Sequence, residues 1–378
     1  MTASSGTSIE RPWAPQAINN GSVVLLTFIA VPTRLCLFVL KEMVMAIETL
    51  YDKDGSLQAL QDKTVAVIGY GSQGHAHAQN LRDSGVQVIV ANRRESDNGR
   101  RAIDHGFDPM AVDEAVKQAD LVILTLPDEV QPQVYEQKIV GNLRQGAALG
   151  ATHGFNIHFK TIAPPNNIDV IMIAPKGPGH TVRSEFERGG GVPCLLAIEQ
   201  DASGQALDLA LAWGIGIGGG KGGILKTTFK DECETDLFGE QCVLCGGLSA
   251  LIKAGFETLT EAGYAPELAY FEVCHELKLI IDLIIQGGLN YMRYSISNTA
   301  EFGDYYTGPK IISEQTRQTM KQVLADIQAG KFAETFRGDY EKQFEWFKQQ
   351  RENDRNHPVE QVGKELRRMM PWLKPVEV

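Results

Sequence analysis

The chain is short of almost everything that would place it outside the cell, in a membrane or on nucleic acid. Its six cysteines among 378 residues, Cys36, Cys194, Cys233, Cys242, Cys245 and Cys274, show no disulfide framework. That usage suits a reducing, cytoplasmic compartment. Cys242 and Cys245 do form a C-x-x-C, but a solitary one inside an apolar helical run, where buried packing is the expected role ahead of redox or zinc chemistry. Basic residues are in deficit, 36 against 47 acidic ones, for a formal charge of -11. Binding to nucleic acid through a basic surface is therefore not expected. The apolar runs near the start fall short of the roughly 20 residues that span a bilayer. The longest near the start, Val23 to Val31 and Leu35 to Leu40, are separated by Pro32, Thr33 and Arg34. Those first 44 residues also lack the basic n-region and small-residue cleavage site of a signal peptide. Met45 then opens what reads as an ordinary protein start, so residues 1 to 44 read as a misassigned start or an appendage outside the fold, with a membrane anchor as the lesser alternative. Repeats and low-complexity tracts are missing too. The glycine-rich Ala212 to Gly223 lacks the GK[ST] ending of a phosphate loop, and it reads instead as a turn or irregular strand near a domain junction.

What is present is length for about two domains and a conspicuous nucleotide signature. Thr64 to Ile68 (TVAVI) has the uncharged, β-branched composition of a buried parallel strand. It runs into Gly69, Tyr70, Gly71, Ser72, Gln73 and Gly74, a G-x-G-x-x-G, and then into a helix-compatible stretch. The motif alone is weak, but a strand before and a helix after supply the context it requires. Its first two glycines allow a tight turn beside a pyrophosphate and the third allows helix–strand packing, with the helix start facing the phosphates. The next strand, Val86 to Val90, ends in Arg93 and Arg94 with Ser96 close behind, where an NAD site would present an acidic residue. Guanidinium groups and a hydroxyl suit a 2'-phosphate, so NADPH is favoured, while Glu95 and Asp97 leave mixed specificity open. Further strands at Leu121 to Leu126, Ala147 to Ala151 and Val170 to Ala174 alternate with helical periodicity. That alternation predicts a doubly wound parallel sheet of Rossmann type. Ligands in such sheets sit at the carboxyl ends of the strands, which is where His153, in THGFNIHF, and Lys176, in PKGPGHTVR, fall.

From about residue 228 the pattern turns helical, through 240–263, 267–293, 314–329, 339–350 and 359–370. Asp236 and Glu240, four residues apart in FKDECETDLFGEQ, share a helix face. Glu272 and Glu276 repeat the spacing in FEVCHELKLIIDLII. Like charges at that spacing repel by a few tenths of a kcal/mol, and no lysine follows four residues on in either pair. Solvated faces or distant ion pairs would explain one such pair. Two of them beyond a nucleotide motif point to a bound cation, and hard oxygen ligands to Mg2+. The run LKLIIDLIIQGGL predicts a helix buried on most sides, which a subunit interface would account for.

These motifs, IGYGSQGHAHA, LPDE, THGFNIHF, APKGPGHTVR, ETDLFGEQ, CHELKLI and SISNTAEFGD in that order, closely resemble ketol-acid reductoisomerases of the short, class I type over roughly residues 45–372. The resemblance implies an NADP-binding Rossmann domain at 45–227 and an all-helical, metal- and substrate-binding domain at 228–373 that forms an interlocked, knotted dimer or a higher assembly of dimers. It implies that Tyr70 to Gln73 cradle the pyrophosphate, that Arg93 and Ser96 meet the 2'-phosphate, and that Gly179 lines the coenzyme site. Asn98 stands where many members carry serine or aspartate, and Thr152 replaces a common serine. It further implies His153 and Lys176 at the reaction centre and two Mg2+ on Asp236, Glu240, Glu272 and Glu276, the latter pair from the partner subunit. Ser297 would hold the carboxylate of an acetohydroxy acid. The implied reaction is alkyl migration in 2-acetolactate or 2-aceto-2-hydroxybutyrate followed by NADPH reduction, in branched-chain amino-acid synthesis. Rival readings are a β-hydroxyacid or 6-phosphogluconate-type dehydrogenase and a non-catalytic NADP-binding redox sensor.

Overall fold

The structure, a computed structural model, describes residues 47–372 and 375–376; the expectations for residues 1 to 44, and Cys36 with them, lie outside the described residues. Eight strands form one sheet: β1 (Thr49–Leu50), β2 (Thr64–Ile68), β3 (Gln87–Ala91), β4 (Leu121–Leu124), β5 (Ala148–Ala151), β6 (Asp169–Pro175), β7 (Cys194–Gln200) and β8 (Ile224–Lys226), in the order β1-β8-β7-β6-β5-β4-β2-β3. The run from β3 to β6 is parallel throughout, as expected. Beyond it β7 pairs antiparallel with β6, β8 parallel with β7, and β1 antiparallel with β8.

The central strands are apolar on both faces because both are covered. Val65, Val67, Ile123 and Ile171 enter one core, while their neighbours Ala66, Ile68, Val122 and Val170 enter the other. Helices α1 (Ser72–Asp83), α2 (Asp97–Asp104), α3 (Val112–Gln118), α4 (Gly179–Glu187) and α5 (Ala206–Gly216) supply much of that cover. Helix α5 corrects the expectation of a turn or irregular strand from Ala212. Ala210, Ala212 and Trp213 are fully buried in the first core, so the helix continues to Gly216 before the glycines turn into β8. Trp213 satisfies its indole by donating to His77 Nδ1 at 3.0 Å, as a buried tryptophan N–H requires.

The second half is helical: α6 (Phe229–Gly239), α7 (Gly246–Glu261), α8 (Leu277–Ser295), α9 (Asn298–Ile311), α10 (Glu314–Gln328), α11 (Lys331–Glu341), α12 (Glu345–Arg355) and α13 (Pro358–Arg368). Thr228 caps α6 by accepting from the Asp231 N–H at 2.9 Å. Single π turns at Glu240–Leu244 and Phe271–His275 carry the chain from α6 into α7 and into α8. Such turns are frequent at functional sites. The stretch Phe229–Glu261 is long and apolar enough to cross a bilayer by length and composition, yet its first half carries Asp231, Glu232, Glu234, Asp236 and Glu240, which a bilayer centre would penalise heavily.

Helix α8 is exposed along much of its length in the single chain, Ile285 by 80% and Tyr294 by 86%, as a helix that awaits cover from a second subunit would be, and Gly288, at φ +79°, kinks it. Two expectations about this half change. Cys242 is half-buried and Cys245 exposed, rather than both being packed inside. The single helix expected over 339–350 is two, because Gln343 and Phe344 adopt left-handed φ of +60° and +59°. Asp339 holds that turn: its carbonyl accepts from the Phe344 N–H at 2.8 Å, and its carboxylate accepts from the N–H groups of Trp346 and Phe347, each at 3.1 Å.

Candidate active site

Strands β3 and β4 flank β2 on opposite sides, which opens a crevice at the carboxyl ends where nucleotides bind in such sheets. Gly69 makes the turn there at φ +102°. No side chain caps α1, so its first-turn N–H groups are left to an anion. A Cβ on Gly74 would stand 2.3 Å from the Gly69 carbonyl oxygen, and one on Gly179 only 1.5 Å from that of Ser72. The loops after β2 and β6 are thereby pressed together. Two hydrogen bonds fasten them: Gly179 N–H to Ser72 Oγ at 3.1 Å and Gln73 Nε2 to the Gly177 carbonyl at 3.0 Å. Gln73 Oε1 is buried with no partner among the described residues.

Tyr70 is committed to the protein at both ends. Its buried hydroxyl meets His105 Nδ1 at 3.0 Å and its carbonyl accepts from Arg101 at 2.7 Å. Of the residues expected at a 2'-phosphate, Arg93 is exposed and its guanidinium has no partner among the described residues. Arg94 pairs with Asp108. Ser96 caps α2, accepting from the Gly99 N–H at 3.1 Å and donating to the Arg93 carbonyl at 2.7 Å. Asn98 accepts from Arg101 at 3.0 Å, and Asp97 pairs with Arg100.

Beside this crevice lies a cavity of about 760 Å³, into which the loops after β4, β5 and β6 bring Asp128, His153 and Lys176, and α6 brings Glu232, Asp236 and, just past its last turn, Glu240. Glu232 sits at the centre, its side chain 1% exposed. It accepts from the Gly154 N–H at 2.7 Å and from Lys176 Nζ at 3.0 Å, and lies 3.2 Å from His153 Nδ1. Asp236 accepts from Lys176 Nζ at 2.8 Å and stands 3.6 Å from His153 Nδ1. Ligand atoms of His153, Glu232 and Asp236 all lie within 4.8 Å of one another.

The electrostatics follow from this packing. Burial alone would pull His153 down, but Glu232, Asp128 and Asp236 outweigh it and push the imidazole up to about 9. Lys176 is likewise raised, burial being overcome by Glu232 and Asp236. Burial would raise Glu232, yet His153, Lys176 and the Gly154 N–H bring it below the usual carboxylate value. Glu240 goes the other way, raised by burial and then by the charge of Asp236. Asp128 is pushed up to about 6, chiefly by burial, while Gln131 and Asn156 donate to its Oδ1 and its carbonyl at 3.2 and 3.0 Å.

Not every expected residue arrives. Glu272, in the second π turn, and Glu276 beside it are exposed, as is Ser297, which caps α9 by accepting from the Ala300 N–H at 3.1 Å. None of the three lines the cavity. Conversely, Glu232 and Asp128 line it without having been singled out. Glu232 stands four residues before Asp236, so Glu232, Asp236 and Glu240 follow one another at i,i+4 spacing. Asp128 lay in plain view in the strand-end loop PDEVQ.

A Rossmann-type sheet with an uncapped helix start, followed by helices that bring carboxylates to the strand ends, is the arrangement of a dinucleotide-binding oxidoreductase. Residues 59–223 match the family model described as acetohydroxy acid isomeroreductase, NADPH-binding domain, and residues 229–372 the model described as ketol-acid reductoisomerase, C-terminal domain. The solved structure of an NADH-preferring ketol-acid reductoisomerase from an uncultured archean is 45% identical, with a TM-score of 0.84, covering 86% of this chain and 99% of that one. The chain belongs to the ketol-acid reductoisomerase family, and with that the β-hydroxyacid dehydrogenase and sensor readings fall away. Two more distant structures share the fold alone. A putative oxidoreductase from Jannaschia sp. CCS1 is 18% identical at a TM-score of 0.54, covering 73% of this chain and 98% of that one. A semialdehyde dehydrogenase NAD-binding protein from Cupriavidus necator is 17% identical at the same score, covering 71% and 98%.

Proposed function

We propose that this chain converts 2-acetolactate or 2-aceto-2-hydroxybutyrate, by alkyl migration and then NADPH reduction, to the 2,3-dihydroxy acid of valine and isoleucine synthesis, with two Mg2+ at the site. The observation that carries this reading is the cluster of His153, Lys176, Glu232 and Asp236 at the strand ends, with Glu240 beside it and no ion pair on Glu240 among the described residues. Carboxylate oxygens in excess of nearby cations fit a hard divalent ion. Asp236 and Glu240 would hold it, and Glu272, Glu276 and Ser297 would be supplied by a second copy of the chain. The exposed apolar side chains of α8 and α9, among them Ile285, Leu289 and Phe302, support a homodimer or an assembly of dimers.

When bound, the divalent ions supply Lewis acidity to the substrate oxygens and the reduced coenzyme supplies hydride. The chain's own groups prepare for both. Glu232 fixes the imidazole of His153 through Nδ1 and leaves Nε2 to exchange a proton with the substrate. Lys176, held on Glu232 and Asp236, keeps a positive charge at the cavity wall and orients an oxygen there. Arg93, whose guanidinium has no partner among the described residues, and the hydroxyl of Ser96 support NADPH, while Glu95 and Asp97 in the same loop keep NADH in play, as does the description of the archean relative as NADH-preferring. Steady-state coenzyme oxidation with 2-acetolactate, run with NADPH and with NADH and with Mg2+ or a chelator, tests the reading. Turnover that needs Mg2+ and is faster with NADPH at low coenzyme supports it. Turnover that survives chelation defeats it.

A further inference from the structure

The polar groups above account for only half of the cavity; the other half is walled by Phe155, Leu237, Leu244, Phe332 and Phe336. Phe332 and Phe336 lie one turn apart on α11, their rings stacked at 6.3 Å and 7°. Phe336 meets Phe155 edge-on at 6.1 Å and 84°, and Phe155 stacks on the ring of His153 at 6.2 Å and 27°. Behind the wall, Phe336 rests on Phe344 at 5.7 Å. That ring stands at the left-handed turn, φ +59°, and is gripped by Tyr340 and Phe347 at 5.2 and 5.4 Å. Bulky L-residues rarely adopt such a conformation and keep it only where the surroundings over-determine it. The turn therefore works as a backstop: Phe336 cannot retreat without undoing Phe344.

We propose that Phe336, braced by Phe344, limits the size of the alkyl group that the cavity accepts, and so decides among 2-acetyl-2-hydroxy acids by their 2-substituent. The inference rests on the proposed function. Such a substrate carries its carboxylate, hydroxyl and acetyl ketone on the carbon that also bears the 2-alkyl group, the one substituent there without a polar atom, which matches a cavity with a charged side and an aromatic side. An apolar wall discriminates by whether the group fills it or collides with it. A braced ring cannot shift to admit a longer group.

The test compares kcat/KM for substrates bearing methyl, ethyl and propyl at that carbon in wild type, Phe336→Leu, Phe336→Trp and Phe344→Gly. Phe344→Gly accepts the left-handed turn but removes the brace. Phe336→Leu is expected to raise the propyl-to-ethyl ratio on the order of tenfold, the usual discrimination for one methylene in an apolar pocket. Phe344→Gly should raise it by a smaller factor, and Phe336→Trp should lower the ethyl-to-methyl ratio. Should Phe336→Leu fail to fold by circular dichroism, the other two variants carry the comparison. Ratios within twofold of wild type in the folded variants would overturn the inference while leaving the proposed function standing. A wild-type enzyme inactive on all three substrates would overturn both.

Discussion

Replacing Glu232 with glutamine removes one negative charge from the centre of the cavity without changing its shape. The new side chain can still accept from the Gly154 N–H, now 2.7 Å away, but it no longer offers a carboxylate to Lys176 at 3.0 Å or to His153 at 3.2 Å. In the native protein His153 is raised from 6.5 to about 9 against the downward pull of burial. That rise is worth on the order of 3 kcal/mol at ~1.4 kcal/mol per unit, and Glu232 is the largest of the three acidic groups that produce it. The variant should forfeit most of it, so His153 should titrate at or below its ordinary value, with Asp128 and Asp236 alone opposing burial. The assay is a histidine ¹H–¹⁵N NMR titration of metal-free protein. The sign for stability follows: a group raised in the folded state stabilises fully below about pH 6.5, and that contribution is lost as pH climbs toward about 9. Metal-free wild type should lose unfolding free energy across that window, and Glu232→Gln should not. Turnover should fall at least about thirtyfold, the equivalent of ~2 kcal/mol. A titration of His153 in the variant within half a unit of wild type would refute the reasoning.

Further outcomes follow from other parts of the molecule. Gly179→Ala should weaken coenzyme binding by about 2 kcal/mol or more, the scale of an overpacked contact, because its Cβ would sit 1.5 Å from the Ser72 carbonyl oxygen; calorimetric titration with NADPH measures it. Arg93→Ala should raise the KM for NADPH roughly tenfold, the loss of one charge-assisted contact, and leave that for NADH nearly unchanged; equal effects on both coenzymes would remove Arg93 from the 2'-phosphate site. His77, depressed to about 3 by burial and then by the charge of His75, must stay neutral in the fold while the unfolded chain takes up a proton below about pH 6.5. Stability should fall by up to ~1.4 kcal/mol per pH unit on acidification through that window, and urea unfolding of His77→Asn between pH 7 and pH 5 should show a shallower loss.

Much of this was legible in the residues, and what was not had physical causes. TVAVI, LVILTL and VIMIA announced buried parallel strands because they are short, uncharged and rich in β-branched residues, with helical periodicity between them. β1 and β8, of two and three residues, lie below any periodicity, and β7 carries a glutamate and a glutamine that blur its pattern. The turn at Gln343 and Phe344 contains neither glycine nor proline, so only the carboxylate of Asp339 and the packed rings betray it. His153, Lys176 and Asp236 were readable from strand ends and helix spacing. Glu232 was obscured because its role depends on contacts with His153, Gly154 and Lys176, which are distant in sequence. Glu272, Glu276 and Ser297 are exposed in the single chain, because nothing among its described residues packs over them.

The central claim is that Asp236 and Glu240 help to hold divalent metal beside the coenzyme crevice, and the most direct measurement is Mn2+ binding followed by electron paramagnetic resonance. Wild-type protein is expected to take up two ions per site, and Glu240→Gln, matched for fold by circular dichroism, is expected to lose at least one of them. Equal uptake by the two proteins, with equal affinity, would contradict the account.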